Sequence, residues 1–171
     1  FDKVAKILGL PYPGGQEIEK NALSGNENSF DLPKPLIKED NLNFSFSGLK
    51  TSINLLAKKN TVDAKFIKNI SASFQKCVTN ILITKLDKAV KNINRVNNKN
   101  LSISVVGGVA NNKYIKKCFK NLELKNNVKI IYPPEYMMSD NAAMIAWATI
   151  LKYKNSNDIY FKPNPRLVIK S

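Results

Sequence analysis

Apolar residues recur along this chain in two rhythms, and the switch between them marks out the elements. Val4, Ile7 and Leu8 share one face of an opening helix over residues 1–9, which Gly9 stops. Leu10-Pro11-Tyr12-Pro13-Gly14-Gly15 makes a stiff, sharply turning loop, and a short helix follows through Glu17, Ile18 and Ala22. Residues 23–40 read as loop. Asn43-Phe44-Ser45-Phe46-Ser47 alternates apolar and polar, the pattern of a half-buried strand; Gly48 turns the chain into a helix over 49–58. From about Val62 to Val96, positions such as Phe66, Ile70, Phe74, Val78, Ile81 and Val90 recur at steps of three and four. They form one apolar stripe with Lys on the other faces, which predicts a long helix packed on a core.

Beyond residue 100 the rhythm shortens. Leu101 to Val106 is a β-branched run of strand length, closed by Gly107-Gly108, and a helix is expected over 113–120. Val128 to Tyr132 predicts a second short buried strand that Pro133-Pro134 breaks. Ser139-Asp140-Asn141 starts a helix over 142–152, with Ser139 as its cap. Strand, helix, strand, helix in close order predicts an α/β fold, with helices covering a parallel or mixed sheet.

At 171 residues, 43% hydrophobic and 23% charged, the chain suits one domain or one lobe of a larger protein. It has two Cys and no His, which excludes a disulfide scaffold, a Cys-rich zinc module, a His-based triad or a His-only metal site built from this chain alone. No apolar run reaches the roughly 20 residues that a spanning helix needs, and no basic-then-apolar leader opens the chain. Reduced thiols at Cys77 and Cys118 and a cytoplasmic location are expected. The first helix has no capping residue before it and reads as already under way, so a fragment is expected whose N-terminal part lies elsewhere.

Charge changes the picture further. Lys and Arg total 27 against 13 Asp and Glu, a formal net charge of +14. Ten basic residues between Lys58 and Lys99 face two acids, and six Lys between Lys113 and Lys129 face one. Such stretches attract phosphate backbones, and they are equally what a Lys-rich solvated surface looks like. Only Arg95 and Arg166 are Arg, which fits loose backbone contact better than base-edge readout.

Three places could carry chemistry. In α/β folds ligands bind beyond the carboxyl ends of strands, here Gly107-Gly108 and the loop 133–140. Asn112 follows the glycines, where its amide could meet a ribose or base; a tight strand-to-helix turn explains the same residues. Asp140 suits either the first turn of a helix, where the dipole favours a carboxylate, or a metal ion that needs further ligands. Asp2 could accept ribose hydroxyls beside Gly14-Gly15, with Glu19 one helical turn past Gly15; a surface Asp and a structural loop are the plain alternative.

Taken together, Phe1 to Gly15, Phe-Ser-Phe-Ser-Gly-Leu-Lys-Thr at 44–51, Val-Gly-Gly-Val-Ala-Asn-Asn at 106–112, Tyr-Pro-Pro-Glu at 132–135 and Ser-Asp-Asn-Ala-Ala-Met-Ile-Ala at 139–146 resemble the TsaD family, once called glycoprotease or O-sialoglycoprotein endopeptidase. The likeness runs from Phe1 to about Trp147, and Pro165-Arg166 looks like the family's tail. The resemblance implies the C-terminal portion of an actin-like, Hsp70-like two-lobed ATPase fold, with 150–171 crossing back to the other lobe. It implies transfer of a threonylcarbamoyl group from threonylcarbamoyl-AMP to the adenosine beside the anticodon of tRNAs reading codons that begin with A, assisted by accessory proteins. It further implies one iron or zinc ion held by two N-terminal histidines and Asp140, and an adenylate or ATP-type nucleotide contacted at Asp2, Gly15, Glu19 and Asn112. The metal would polarise the transferred carbonyl, and no general base stands out.

Gln16 replaces the Pro usual after the double glycine, and Met137-Met138-Ser139 replaces a Cys- or Leu-containing run with Thr before the Asp. The His-x-x-x-His pair and the phosphate loops are absent, so this piece alone is expected to turn over little. Two other readings remain: a non-catalytic lobe that binds tRNA or a partner, and a metalloprotease acting on glycoproteins, for which the chain has no His-Glu-x-x-His helix.

Overall fold

The computed structural model describes residues 1–96 and 101–155, with side chains for 1–93 and 101–154. The side chains of Arg95 and Lys99 and the 156–171 stretch, with its Pro165-Arg166 tail, lie outside the described residues. Phe1–Met138 forms one body and the residues from Ser139 onward a second.

In the first body, α1 (Asp2–Ile7), α2 (Gly14–Ala22) and α3 (Ser47–Lys59) gather on α4 (Ala64–Val96). At 1.5 Å per residue, α4 is about 50 Å long. Asp63 caps it, its Oδ1 accepting the Phe66 N–H at 2.7 Å. The expected apolar stripe is core: Phe66, Ile70, Phe74, Val78 and Ile81 are buried against Val4, Leu8, Ile18, Leu49 and Ile53. Edge-to-face contacts of Phe1 with Phe74 and Phe30 with Phe66 add to this packing.

Residues 23–40 are loop, as their composition predicts, and with the irregular residues that follow they strap along α4. Asn69 Oδ1 accepts the Asn26 N–H at 2.9 Å, and Ser73 Oγ accepts the Phe30 N–H at 3.2 Å. Further along, Lys85 Nζ donates to the Asn41 carbonyl at 2.7 Å and the Glu39 carbonyl at 3.2 Å. The strap explains why Ser73 and Lys85 are buried on a helix whose polar face the pattern assigned to water, and Asn112 does the same for Gln75.

The alternating segment 43–47 is not a strand. It runs irregularly into α3, which starts at Ser47, because the sheet of the described residues has two strands and neither reaches it. Phe44 and Phe46 instead stack on one another with centroids 6.4 Å apart. The sheet pairs β1 (Ser102–Ser104) with β2 (Lys129–Ile131) in parallel, Ile103 opposite Ile130. Between them lie a helical turn (Gly108–Asn111) and α5 (Lys113–Asn126), longer than the periodicity predicts. Asn127, at φ 50°, ends α5 in the left-handed conformation that Asn tolerates. A second, smaller cluster of Val90, Leu122 and Val128 joins the far part of α4 to α5 and the sheet.

In the second body, α6 (Ala142–Asn155) exposes Ile145, Trp147 and Tyr153. Asn141, not Ser139, caps it. Asn141 Oδ1 accepts the Met144 N–H at 2.9 Å, while its amide donates to the Ser139 carbonyl, also at 2.9 Å. The Asn side chain stands at the position from which that N–H is within reach.

Candidate functional site

The Pro-Gly-Gly turn and the Gly-Gly turn, about ninety residues apart in sequence, meet through one carboxylate. Glu19 on α2 accepts the Lys113 N–H at the start of α5 at 2.6 Å. Backbone N–H groups at a helix start lack intrahelical acceptors, so an acidic side chain there is stabilising. Beside it Asn112 caps the same helix, its Oδ1 accepting the Ile115 N–H at 3.0 Å. The amide of Asn112 donates to Gln75 Oε1 on α4 at 2.7 Å. Asn112 is 6% exposed, so both ends of its side chain are spent inside the protein.

Asp2 is exposed and joins this surface through the glycines. A methyl group built on Gly14 would lie 2.5 Å from Ala5 Cβ and 3.0 Å from Asp2 Oδ1, so α1 and α2 approach as only glycine permits. Gly15 has room: its nearest neighbour in the same construction is Phe1 Cβ at 3.9 Å. Gly107, at φ 94°, needs glycine for its backbone alone. One body therefore carries all four residues: Glu19 and Asn112 form a short bonded series at the start of α5, while Asp2 lies against Gly14, next to Gly15. Gln75 completes that series, and sequence reasoning missed it; its one signal was a polar residue flanking the apolar stripe, next to Phe74.

Asp140 belongs to the second body and is exposed. The chain has no His, and among the described residues no group of three His, Cys, Asp or Glu could hold a metal. These residues do not make an iron or zinc site: Asp140 offers one carboxylate, and further donors would have to come from outside this chain.

The expected basic surface shrinks in three dimensions. Lys85 is 1% exposed and bound to carbonyls, Lys76 pairs with Glu27 at 2.9 Å, Lys91 with Asp87 at 2.5 Å, and Lys88 with Asp40. The Lys76 ammonium, then the Tyr114 hydroxyl at 2.8 Å, holds the Glu27 carboxyl below its ordinary value. Lys91 does the same for Asp87. Lys58, Lys59, Lys65 and Lys68 around the end of α3 and the start of α4 stay exposed, as do Lys113, Lys117 and Lys120 on α5. Cys77 and Cys118 are free thiols, and burial pushes both up in pKa, away from the reactive thiolate. Among the described residues no helix is long and apolar enough to cross a membrane.

Comparison with known proteins gives the arrangement a context. The family model for TsaD, tRNA N6-adenosine threonylcarbamoyltransferase, matches residues 1–147. Curated relatives carrying that same name include one from Thermosipho africanus, 46% identical over 99% of this chain and 50% of its own length. One from Ehrlichia canis is 41% identical over 100% and 50%, and one from Rickettsia rickettsii 40% identical over 97% and 50%. The chain spans about half the length of these relatives, consistent with a C-terminal portion. With a match over 147 of its 171 residues, the chain belongs to the TsaD family.

Proposed function

We propose that this chain is the nucleotide-positioning part of an enzyme that transfers a threonylcarbamoyl group from threonylcarbamoyl-AMP to the adenosine beside the anticodon of tRNAs reading codons that begin with A. The observation that carries the reading is the 2.6 Å bond from the Lys113 N–H to Glu19, which ties the Pro-Gly-Gly turn to the turn before Asn112. Asp2 accepts the ribose hydroxyls of the adenylate, and Gly15, with open space above its Cα, lets the nucleotide lie against the backbone. Glu19 and Asn112 act as positioning residues, since both are already bonded and both fix the Gly107–Lys113 turn. Their contribution is orientation of the acyl donor toward the incoming amine rather than proton transfer. In the whole protein Asp140 is one ligand of an iron or zinc ion, with two histidines from outside this chain.

Membership in a family named for action on tRNA supports tRNA as the acceptor. The exposed lysines of α5 supply loose phosphate contact, accessory proteins complete the assembly, and the reaction is cytoplasmic. The fold of the whole is the actin-like, two-lobed ATPase fold, of which the parallel β1–β2 pair with its covering helices is one part.

The test uses the protein carrying both halves. Asp2→Ala should weaken binding of a non-hydrolysable threonylcarbamoyl-AMP analogue roughly tenfold or more, the size of a lost charge-assisted hydrogen bond, with matching loss of transfer to tRNA. Unchanged affinity overturns the role of Asp2. Absence of transfer by the unmodified two-half protein, supplied with metal and accessory proteins, overturns the function.

A further inference from the structure

A polar pocket of about 200 Å³ lies in the first body between the strap and α4. Its floor is one face of that helix: Ser73, Lys76, Cys77 and Asn80 recur at steps of three and four. The strap is pinned on both sides of it. Upstream, Lys76 Nζ meets Glu27 Oε1 at 2.9 Å and donates to Asn28 Oδ1 at 2.6 Å, and the Phe30 N–H donates to Ser73 Oγ at 3.2 Å. Downstream, Leu32 is buried and the Cys77 thiol donates to the Pro33 carbonyl at 3.5 Å.

Asp31 and Lys34 stand between and just beyond these anchors. Both line the pocket and both are exposed. No ion pair joins them, and among the described residues the side chains of Asp31, Lys34 and Asn80 have no hydrogen-bond or ion-pair partner. Both charges nevertheless act on one atom of the floor. Burial raises the pKa of the Cys77 thiol, the Lys34 ammonium lowers it and the Asp31 carboxylate raises it again, so both stand within electrostatic reach of the same sulfur.

The make-up of the wall says what fits. The carboxylates of Glu27 and Asp31 balance the ammoniums of Lys34 and Lys76, so the pocket favours a ligand without net charge. Lys76 and Glu27 satisfy one another, which leaves one cation and one anion unspent in a small space. Asn80 adds a neutral donor and acceptor beside them. The volume is that of roughly seven waters, enough for a molecule of about six to eight heavy atoms. A few convergent polar groups around such a volume are what orient a small guest.

We propose that this pocket binds a free α-amino acid with a small side chain, its carboxylate accepting from Lys34 and its ammonium donating to Asp31. An α-amino acid carries both charges on one carbon and so bridges two side chains that do not pair with each other. The inference does not rest on the proposed transfer reaction, since Asp2, Gly15, Glu19 and Asn112 are not among the lining residues.

The experiment titrates the full 171-residue chain with L-alanine and with L-threonine, followed by amide chemical shifts and by calorimetry. The expected result is saturable one-to-one binding with a Kd of about 1 mM or tighter, and shifts confined to the strap around 27–34 and to α4 around 73–80. Acetate and methylamine, which carry one of the two charges each, should bind at least about tenfold more weakly, the size of a lost charge-assisted hydrogen bond. Asp31→Asn and Lys34→Met, both at exposed positions, should each weaken amino-acid binding by about the same factor. Four results overturn the proposal: no saturable binding of either amino acid, shifts that map elsewhere, acetate or methylamine binding as tightly as alanine, which would mean an adventitious ion only, or undiminished affinity in either charge variant.

Discussion

The two ends of α4 are built from the same kind of helix and end up in different company. Near its start, thirteen buried residues from α1, α2, α3, α4 and the strap make one continuous core. Near its end, the cluster of the described residues has three: Val90, Leu122 and Val128. Apolar periodicity is similar at both ends; what differs is how many other elements arrive. The well-covered end carries Asp2, Gly14 and Glu19 and, through Gln75, anchors Asn112, whereas the sparsely covered end carries the β1–β2 pair. A helix stripe therefore announces that something packs on it, while the number of partners is a property of the whole fold.

The sharpest way to break this contrast is to remove a core side chain at each end. Ile70→Ala, at a position 0% exposed, should destabilise the protein by about 3–5 kcal/mol in urea unfolding, and Val90→Ala by about 1–2 kcal/mol. Equal losses would mean the two ends are equally consolidated.

Glycine contacts sharpen the well-covered end. Gly14→Ala puts a methyl 2.5 Å from Ala5 Cβ and should cost about 1–3 kcal/mol by forcing α1 from α2. Gly15→Ala meets nothing nearer than 3.9 Å and should be close to neutral for stability. A reversal of that order in thermal unfolding would show that α1 does not pack on α2 as described.

The strap gives a third probe. Lys85→Met keeps the apolar stem and removes the ammonium that the Glu39 and Asn41 carbonyls accept from. Stability should fall by about 1–2 kcal/mol, with faster amide exchange around residues 37–43 and little change in α2. Uniformly faster exchange would mean that Lys85 holds the core rather than the strap.

The smallest effect is in acid. Lys76 lowers the folded-state pKa of Glu27 below its ordinary 4.5, and Lys91 lowers that of Asp87 below its ordinary 3.8. A lowered carboxyl pKa means that the unfolded chain takes up the proton first. The stabilisation is complete above the ordinary values and is lost as pH falls through the lowered ones. Glu27→Gln should flatten the decline of stability below about pH 4.5 slightly, since the pair is partly exposed and screened. An unchanged acid limb would remove this pair from the account.

Much of the local architecture was legible in the residues. The long helix, the Pro-Gly-Gly turn and both short strands follow from period, breakers and β-branching, because these act over a few neighbouring positions. The segment 43–47 misled for the opposite reason: alternation marks which side chains share a face, but a strand exists only where another strand supplies hydrogen bonds. The caps divided likewise. Asn112 was legible as a residue of interest, yet its partner Gln75 lies 37 positions away. Asn141 displaced Ser139 because it stands directly before Ala142, the position from which a side chain reaches the Met144 N–H.

By itself, then, the amino-acid order determined the family, the helical stripe and the residues worth watching, since all three reside in local chemistry and motif. Tertiary structure alone decided that Glu19 meets Lys113, that Lys85 is buried under a strap, and that Asn112 meets Gln75. Each of these depends on which distant segment arrives at a given backbone or charged group, and the hydrophobic burial that brings distant segments together is not directional.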